Sequence, residues 1–212
     1  LAFSWSPPSR FQPPKEWKPA PTGEIPVCEP AAIHKVAYDC TLLKSQAVKL
    51  SWAKRDIVFE SRFSRADGGW MEVKAEGVTG TSPALHWQRT VERLDECVKV
   101  TDILRNTTNA DLPVMAAHRA VVGDCEDLWL AGRPIPMKNG ASSVPPNPSV
   151  TVLWKDVGLA VMPRDDVFRI HYRGAYDGKA VEIADNSLVL RPGVEYRQEW
   201  LIFPLNTPDY WS

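Results

Sequence analysis

The chain has no signature of nucleophilic, phosphate or zinc-hydrolase chemistry: G-x-S-x-G, G-x-x-x-x-G-K, G-x-G-x-x-G and H-E-x-x-H are all absent. Each of those patterns places a reactive atom or a phosphate cradle by fixed spacing, so the corresponding enzyme classes are excluded as sequence-level readings. Charge of one sign is also lacking. The 25 basic and 26 acidic residues are interspersed and leave a formal net charge of -1, so no basic stripe is available to neutralise a phosphate backbone, and nucleic acid is not expected as a partner. No apolar run approaches the roughly 20 residues of a membrane-spanning helix, and the N-terminus lacks a charged segment followed by an apolar one. No membrane partner is expected of a soluble chain, and cytoplasm and export both stay open. Four cysteines, Cys28, Cys40, Cys97 and Cys125, include no C-x-x-C pair, which argues against a zinc or redox motif. Buried thiols are one reading and a disulfide in an exported protein the other, with Cys28 to Cys40 closing the shortest loop. His34, His86, His118 and His171 are isolated from one another, so neither a metal site nor a cofactor is expected.

Proline is abundant, and its distribution divides the chain. Eight prolines between Pro7 and Pro30 forbid a helix and deny hydrogen bonds to a central strand, so residues 1–32 read as an extended Pro-rich arm. Trp5, Phe11 and Trp17, interleaved with those prolines, are expected to anchor the arm on a surface, a disordered linker being the alternative. Residues 33–212 are long enough for one domain with a sizeable core. Here short runs rich in Val, Ile, Trp and Phe follow one another: 34–40, 47–53, 57–64, 70–76, 85–93, 96–106, 112–121, 127–131, 150–154, 158–162, 167–173, 180–184, 187–191 and 196–204. Turn signals at Asp67-Gly68-Gly69, Asn106 to Asn109, Tyr176-Asp177-Gly178 and Arg191-Pro192-Gly193 separate them. The expected fold is therefore all-β: a two-sheet antiparallel β-sandwich, supersandwich-like, behind a Pro-rich N-terminal arm. Alternation is clearest in Val98 and Val100 against Lys99 and Thr101, and in Phe168, Ile170 and Tyr172 against Arg169, His171 and Arg173. The segment from Ala131 to Ser149, with five prolines and two glycines, reads as a long loop that no ladder uses and that serves a cleft or an interface.

Position 1 is Leu and the last five residues are Pro208-Asp209-Tyr210-Trp211-Ser212, so both ends read as cut or processed, or the last aromatics pack on this same domain. Among nine tryptophans, Trp52, Trp70, Trp87, Trp154 and Trp200 sit in apolar strand contexts and are expected in the core, whereas Trp129, just before the long loop, is the candidate for a surface contact with a sugar ring. Arg133, Arg119 and Arg173 are the candidate ligand-binding cations. His118 and His171, each next to or near an arginine in an expected strand, are candidate general bases, with Glu199 as the matching acid on a concave sheet. Asp165-Asp166 resembles a paired-carboxylate site, but adjacent residues on an extended chain point apart, so a turn is expected there. Asn106-Thr107-Thr108 is a glycosylation sequon and also a good turn.

Residues 100–108, 129–136, 167–172 and 196–200, the last leading to Asp209-Tyr210-Trp211, resemble the N-terminal β-sandwich domains that precede a catalytic barrel in large bacterial glycoside hydrolases, grouped with the galactose-mutarotase-like supersandwiches. The resemblance covers about half of the chain and is a pattern of strands and turns. It implies an accessory domain of a carbohydrate-active protein, without catalysis of its own, that braces an adjacent catalytic domain or a second subunit and lends a loop to a glycan cleft. The alternatives are a stand-alone epimerase or lyase, or a carbohydrate-binding module.

Overall fold

A computed structural model describes residues 35–135, 141–143 and 147–210. The arm with Trp5, Phe11 and Trp17, together with Cys28, His34, part of the Pro-rich loop and Trp211, lies outside the described residues.

The described chain is built of strands. In order they are β1 (Tyr38–Leu42), β2 (Val48–Trp52), β3 (Arg55–Phe63), β4 (Lys74–Glu76), β5 (Thr79–Thr81), β6 (Leu85–Arg93), β7 (Val98–Asn106), β8 (Leu112–Val121), β9 (Asp127–Leu130), β10 (Arg133–Pro134), β11 (Ala141–Ser143), β12 (Val150–Leu153) and β13 (Gly158–Pro163). A one-turn-and-a-half helix, α1 (Asp166–His171), then leads into β14 (Tyr172–Tyr176), β15 (Ala180–Leu190) and β16 (Glu195–Leu205). A seven-stranded sheet has the order β1-β2-β3-β8-β15-β14-β11 and a nine-stranded sheet the order β10-β9-β12-β13-β16-β7-β6-β5-β4. Every pairing is antiparallel, so the expected two-sheet sandwich is what the chain forms.

Period-two patterning explains which faces meet. Val48, Leu50 and Trp52 on β2, Ile57 and Phe59 on β3, and Val181 and Ile183 on β15 point inward from one sheet, against Val98 and Val100 on β7 and Trp200 and Ile202 on β16 from the other. A second cluster fills one end, where Phe63, Leu85, Trp87, Leu104, Leu112 and Val114 pack together. Trp52, Trp87, Trp154 and Trp200 are in the core as expected. Trp70 is not: it is 38% exposed, joined to Ser64 by an isolated bridge, and its ring lies 3.8 Å under the Arg62 guanidinium.

Three further differences from the sequence reading have identifiable causes. The run 167–173, expected as a strand, is α1 followed by the start of β14. Asp165 caps it, its carboxylate accepting the Phe168 N–H at 2.9 Å, and only Phe168 of the helix is buried, while Ile170, expected on the dry side, is 73% exposed. The runs 180–184 and 187–191 are one strand interrupted by an irregularity between Asp185 and Leu188, where the Asp185 carboxylate accepts the Ser187 N–H. The Pro-rich loop does enter ladders, through β10 on β9 and β11 on β14, both at sheet edges where proline's missing N–H costs nothing.

The sequon is not a free acceptor. Asn106 is buried and its amide donates to Ala110 O at 2.7 Å and Leu190 O at 2.8 Å, which pins the β7–β8 turn to β15. Cys97 is a buried free thiol and Cys40 a half-buried one, and burial pushes both above the ordinary thiol range.

The β2–β3 hairpin turns through Ala53 and Lys54, with φ of 44° and 64° respectively. Two positive φ values define the mirror-image turn that suits strand twist, but that turn favours Asn-Gly, and each side chain held there carries strain. Replacing Lys54 by Gly should raise the free energy of unfolding in urea by about 1 kcal/mol.

Candidate functional site

The polar groups that the fold brings together most closely lie between the sheets. Arg89 on β6 and Asp102 on β7 are fully buried and form a bidentate pair, Nε to Oδ1 at 2.6 Å and Nη2 to Oδ2 at 2.8 Å. Two indoles complete the carboxylate's shell: Trp87 Nε1 donates to Oδ1 at 2.8 Å and Trp200 Nε1 to Oδ2 at 3.0 Å. On its other side Arg89 donates Nη1 to Gln46 O in the β1–β2 turn at 2.7 Å and Nη2 to Ser61 Oγ on β3 of the opposite sheet at 2.7 Å. Because Ser61 Oγ accepts from Arg89, its own proton is available to His118 Nδ1, 2.7 Å away; the protonated Nε2 then donates to Gln198 Oε1 at 2.9 Å. The network thus assigns one neutral tautomer to His118.

Burial would push the Asp102 carboxyl up, but the charge and hydrogen bonds of Arg89 outweigh it and hold the group below the ordinary range. Burial pulls His118 down to about 4, the attraction of Asp102 opposing it. The imidazole is 1% exposed and stacked on Trp200, with ring centroids 4.4 Å apart. No substrate proton can reach it, so His118 does not occupy the general-base role expected on a concave face.

The other candidates point elsewhere. Glu199 lies on the outer face of the nine-stranded sheet, its side chain 17% exposed, accepting from Arg197 Nη2 at 2.8 Å and from Thr101 Oγ1 at 3.3 Å. Burial pushes Glu199 up, but the Arg197 bond and the charges of Arg197, Arg164 and Lys99 outweigh it, so the group sits below the ordinary range and is no proton donor near neutrality. His171, in the last turn of α1, directs Nδ1 to Asp185 Oδ1 at 3.1 Å. Asp165 is occupied as the helix cap and accepts from Tyr196 OH at 2.7 Å and Glu199 N at 2.8 Å.

Arg119 and Arg173 lie on the outer face of the seven-stranded sheet. Arg119 sits in register between Glu60 and Glu182 and donates to Asp177 at 2.6 Å; that bond holds Asp177 at about 2. Trp129 is on the outer face of the other sheet, half-buried and stacked on Tyr210 at 4.2 Å with 15° between planes, and Arg133 is exposed on β10. Tyr210 therefore packs on this same domain. Trp129 and Glu199 share a face, but β9 and β16 are three strands apart in the sheet, about 14 Å sideways. The expected set is thus split between two outer faces, the interior and α1, and no single ligand group can touch it.

Sequence reasoning missed Arg89 and Asp102, although a signal existed. Asp102 has the parity of the buried Val98, Val100 and Leu104, and Arg89 that of Leu85 and Trp87. Opposite charges at paired dry positions of neighbouring strands mark an interior ion pair.

Surface grooves among the described residues include three of note. One of about 700 Å³ is lined by Arg65, Met71, Glu72, Lys74, Ser82 and Leu112 among others, and one of about 570 Å³ lies at the β2–β3 hairpin. Neither of these contains a candidate from the sequence, but a third, of about 250 Å³ on the outer face of the seven-stranded sheet, is lined by Asp56, Val58, Glu60, Val121 and the candidate Arg119.

No family model matches the sequence, and no curated protein does. Among solved structures, the Slr1438 protein from Synechocystis sp. PCC 6803 superposes with a TM-score of 0.51 at 6% identity, over 81% of this chain and 93% of that one. The GH36 α-galactosidase AgaA from Geobacillus stearothermophilus gives a TM-score of 0.51 at 8% identity, over 82% of this chain and 40% of that one. The likeness is one of fold. What the chain shares with both is the two-sheet β-sandwich.

The buried histidine sets a pH dependence. Its folded pKa of about 4 lies below the ordinary imidazole value of 6.5, so between those pH values the unfolded chain binds a proton that the native state does not. Stability from this group is complete above pH 6.5 and is lost as pH falls toward 4, by about 3 kcal/mol in all. Asp185, which burial pushes up, acts in the opposite sense, so the comparison is internal. In urea titrations across this range, His118→Gln should flatten the slope by about one proton relative to the parent.

Proposed function

We propose that the chain is a non-catalytic β-sandwich domain of a carbohydrate-active protein, one that braces an adjacent catalytic domain or a second subunit. The observation that carries this reading is that the acid and base candidates all hold structural posts: His118 inside the buried network, Glu199 among arginines, His171 on Asp185. An epimerase or lyase needs an acid and a base converging on one ligand from an accessible face, and these three do not converge.

Two observations support the bracing role. The chain aligns with 40% of the length of the GH36 α-galactosidase, as a domain of a larger enzyme would. Along the outer face of the nine-stranded sheet Met162, Leu201, Phe203 and Leu205 stay only half-buried, in register on neighbouring strands, and form an apolar stripe suited to a partner surface. The Pro-rich loop at 131–149, whose β10 end is paired with the strand that carries Trp129, would contribute to a glycan cleft.

Polarimetry decides between the readings. With freshly dissolved α-D-galactose or α-D-glucose the chain should leave the spontaneous rate of mutarotation unchanged. A catalysed rate that falls at least tenfold in Glu199→Gln or His171→Asn would overturn the proposal in favour of the epimerase.

A further inference from the structure

The segment that follows β16 leaves that strand and crosses the nine-stranded sheet toward one of its edges. β16 ends at Leu205, in register with Gly158 on β13, whereas Tyr210 stacks on Trp129 of β9, with ring centroids 4.2 Å apart and 15° between planes. β9 lies three strands from β16, about 14 Å, and the chain from Leu205 to Tyr210 spans about 17 Å when extended, so the crossing has little slack. Residues 206–209 are exposed and Tyr210 is half-buried, so the ring is where this segment gains its burial.

The surface that receives this ring is built without it. Trp129 is held in the ladder between β10 and β12, and the β9–β10 hairpin turns through Ala131 and Gly132, with φ of 51° and 73°. Ser149 O accepts from Ala131 N at 2.9 Å and from Tyr172 OH at 2.7 Å, which ties the far end of the Pro-rich loop to the turn. Ser149 N then donates to Asn147 O at 2.8 Å and the Ser149 hydroxyl to Asn147 Oδ1 at 3.2 Å. With its oxygen so engaged, the exposed Asn147 amide presents Nδ2 as a donor, which meets Tyr210 OH at 3.2 Å. Gly132 keeps this approach open, since a Cβ there would lie 2.7 Å from Asn147 Nδ2 and 3.4 Å from Tyr210 OH. Indole, amide and glycine thus keep their places through bonds in which Tyr210 has no part.

What Tyr210 brings to that surface is a six-membered ring for the indole and a hydroxyl for the amide. A pyranose brings the same two things, an apolar ring face and hydroxyls that accept from an N–H. We propose that Trp129, Asn147 and Gly132 form a pyranose subsite and that Tyr210 is its internal occupant, a strap that a sugar unit of a glycan displaces. The choice of ligand rests on the carbohydrate reading above; the strap rests on the ring stack and the amide bond. An occupant tethered in the same chain competes at a high effective concentration, so the parent binds sugar only in the fraction of molecules whose strap is open.

The test follows the indole N–H resonance of Trp129 in the 15N-labelled full chain, assigned by its loss in Trp129→Phe. The parent and Tyr210→Ala are titrated with methyl β-D-galactopyranoside, methyl β-D-glucopyranoside and p-cresol, the last being the tyrosine side chain as a separate molecule. In Tyr210→Ala, p-cresol and one or both pyranosides should shift the resonance saturably, the pyranoside binding about tenfold more tightly than in the parent. Asn147 is exposed, so its truncation should leave the fold intact, and Asn147→Ala added to Tyr210→Ala should weaken the pyranoside about fivefold. Binding of p-cresol without either pyranoside overturns the sugar assignment. A Trp129 resonance that no probe moves, or full affinity in the Asn147→Ala double variant, overturns the subsite, and a parent that binds as tightly as Tyr210→Ala overturns the strap. Pyranosides that shift other resonances while Trp129 stays still remove this subsite and leave the carbohydrate reading of the domain standing.

Discussion

The interior of this sandwich is organised around one ion pair. Arg89 and Asp102 are neighbours across β6 and β7, and removing both from water would cost several kcal/mol per ion were their remaining hydrogen-bonding groups not met. They are met. Asp102 accepts four bonds, two from the guanidinium and two from indoles, and Arg89 extends to Ser61 on the other sheet and to Gln46 in the turn that joins two of its strands. The sheets are thus joined by directional bonds as well as by apolar contact, and those bonds have only one satisfactory arrangement. A slip of β7 by one residue would turn Asp102 to solvent and leave the guanidinium buried without its carboxylate. The pair therefore selects register.

This arrangement also decides what is left for chemistry. In a two-sheet fold each strand has one parity facing in and one facing out, and here the inward parity holds the arginine, the aspartate, the histidine and the glutamine that would otherwise suggest a reaction centre. The outward parity of the seven-stranded sheet is a field of matched charges, with Arg62 on Glu182 and Arg119 on Asp177. What the outer face of the nine-stranded sheet offers instead is an apolar stripe along β13 and β16.

Much of the fold was legible in the sequence because strand parity and turn chemistry are local. β6 and β8 have the bounds that apolar alternation and flanking turns set for them, and β7 differs by two residues at one end. The failures are instructive for the same reason. Phe168, Ile170 and Tyr172 keep perfect strand parity, yet an aspartate at the cap and a single buried aromatic make a short helix of most of that run, since six residues cannot distinguish the two periods. The candidate site was less legible. His118 looked chemical because it was a histidine beside an arginine on a strand; only the partner strands, 57 and 80 residues away in sequence, show that it lies between Ser61 and Gln198.

The place of β16 has a consequence for how the molecule is made. It is the last strand of the described chain, yet it lies in the middle of the nine-stranded sheet, between β13 and β7, and it carries both Trp200 and Gln198. A chain emerging from the ribosome as far as Leu190 has that sheet in two halves, each with an unpaired apolar edge, and an Asp102 still short of one indole donor. The nine-stranded sheet cannot close until β16 threads between β13 and β7. Closure of the nine-stranded sheet therefore waits for β16 to emerge, and until then the partly made sheet is the form most exposed to misassembly.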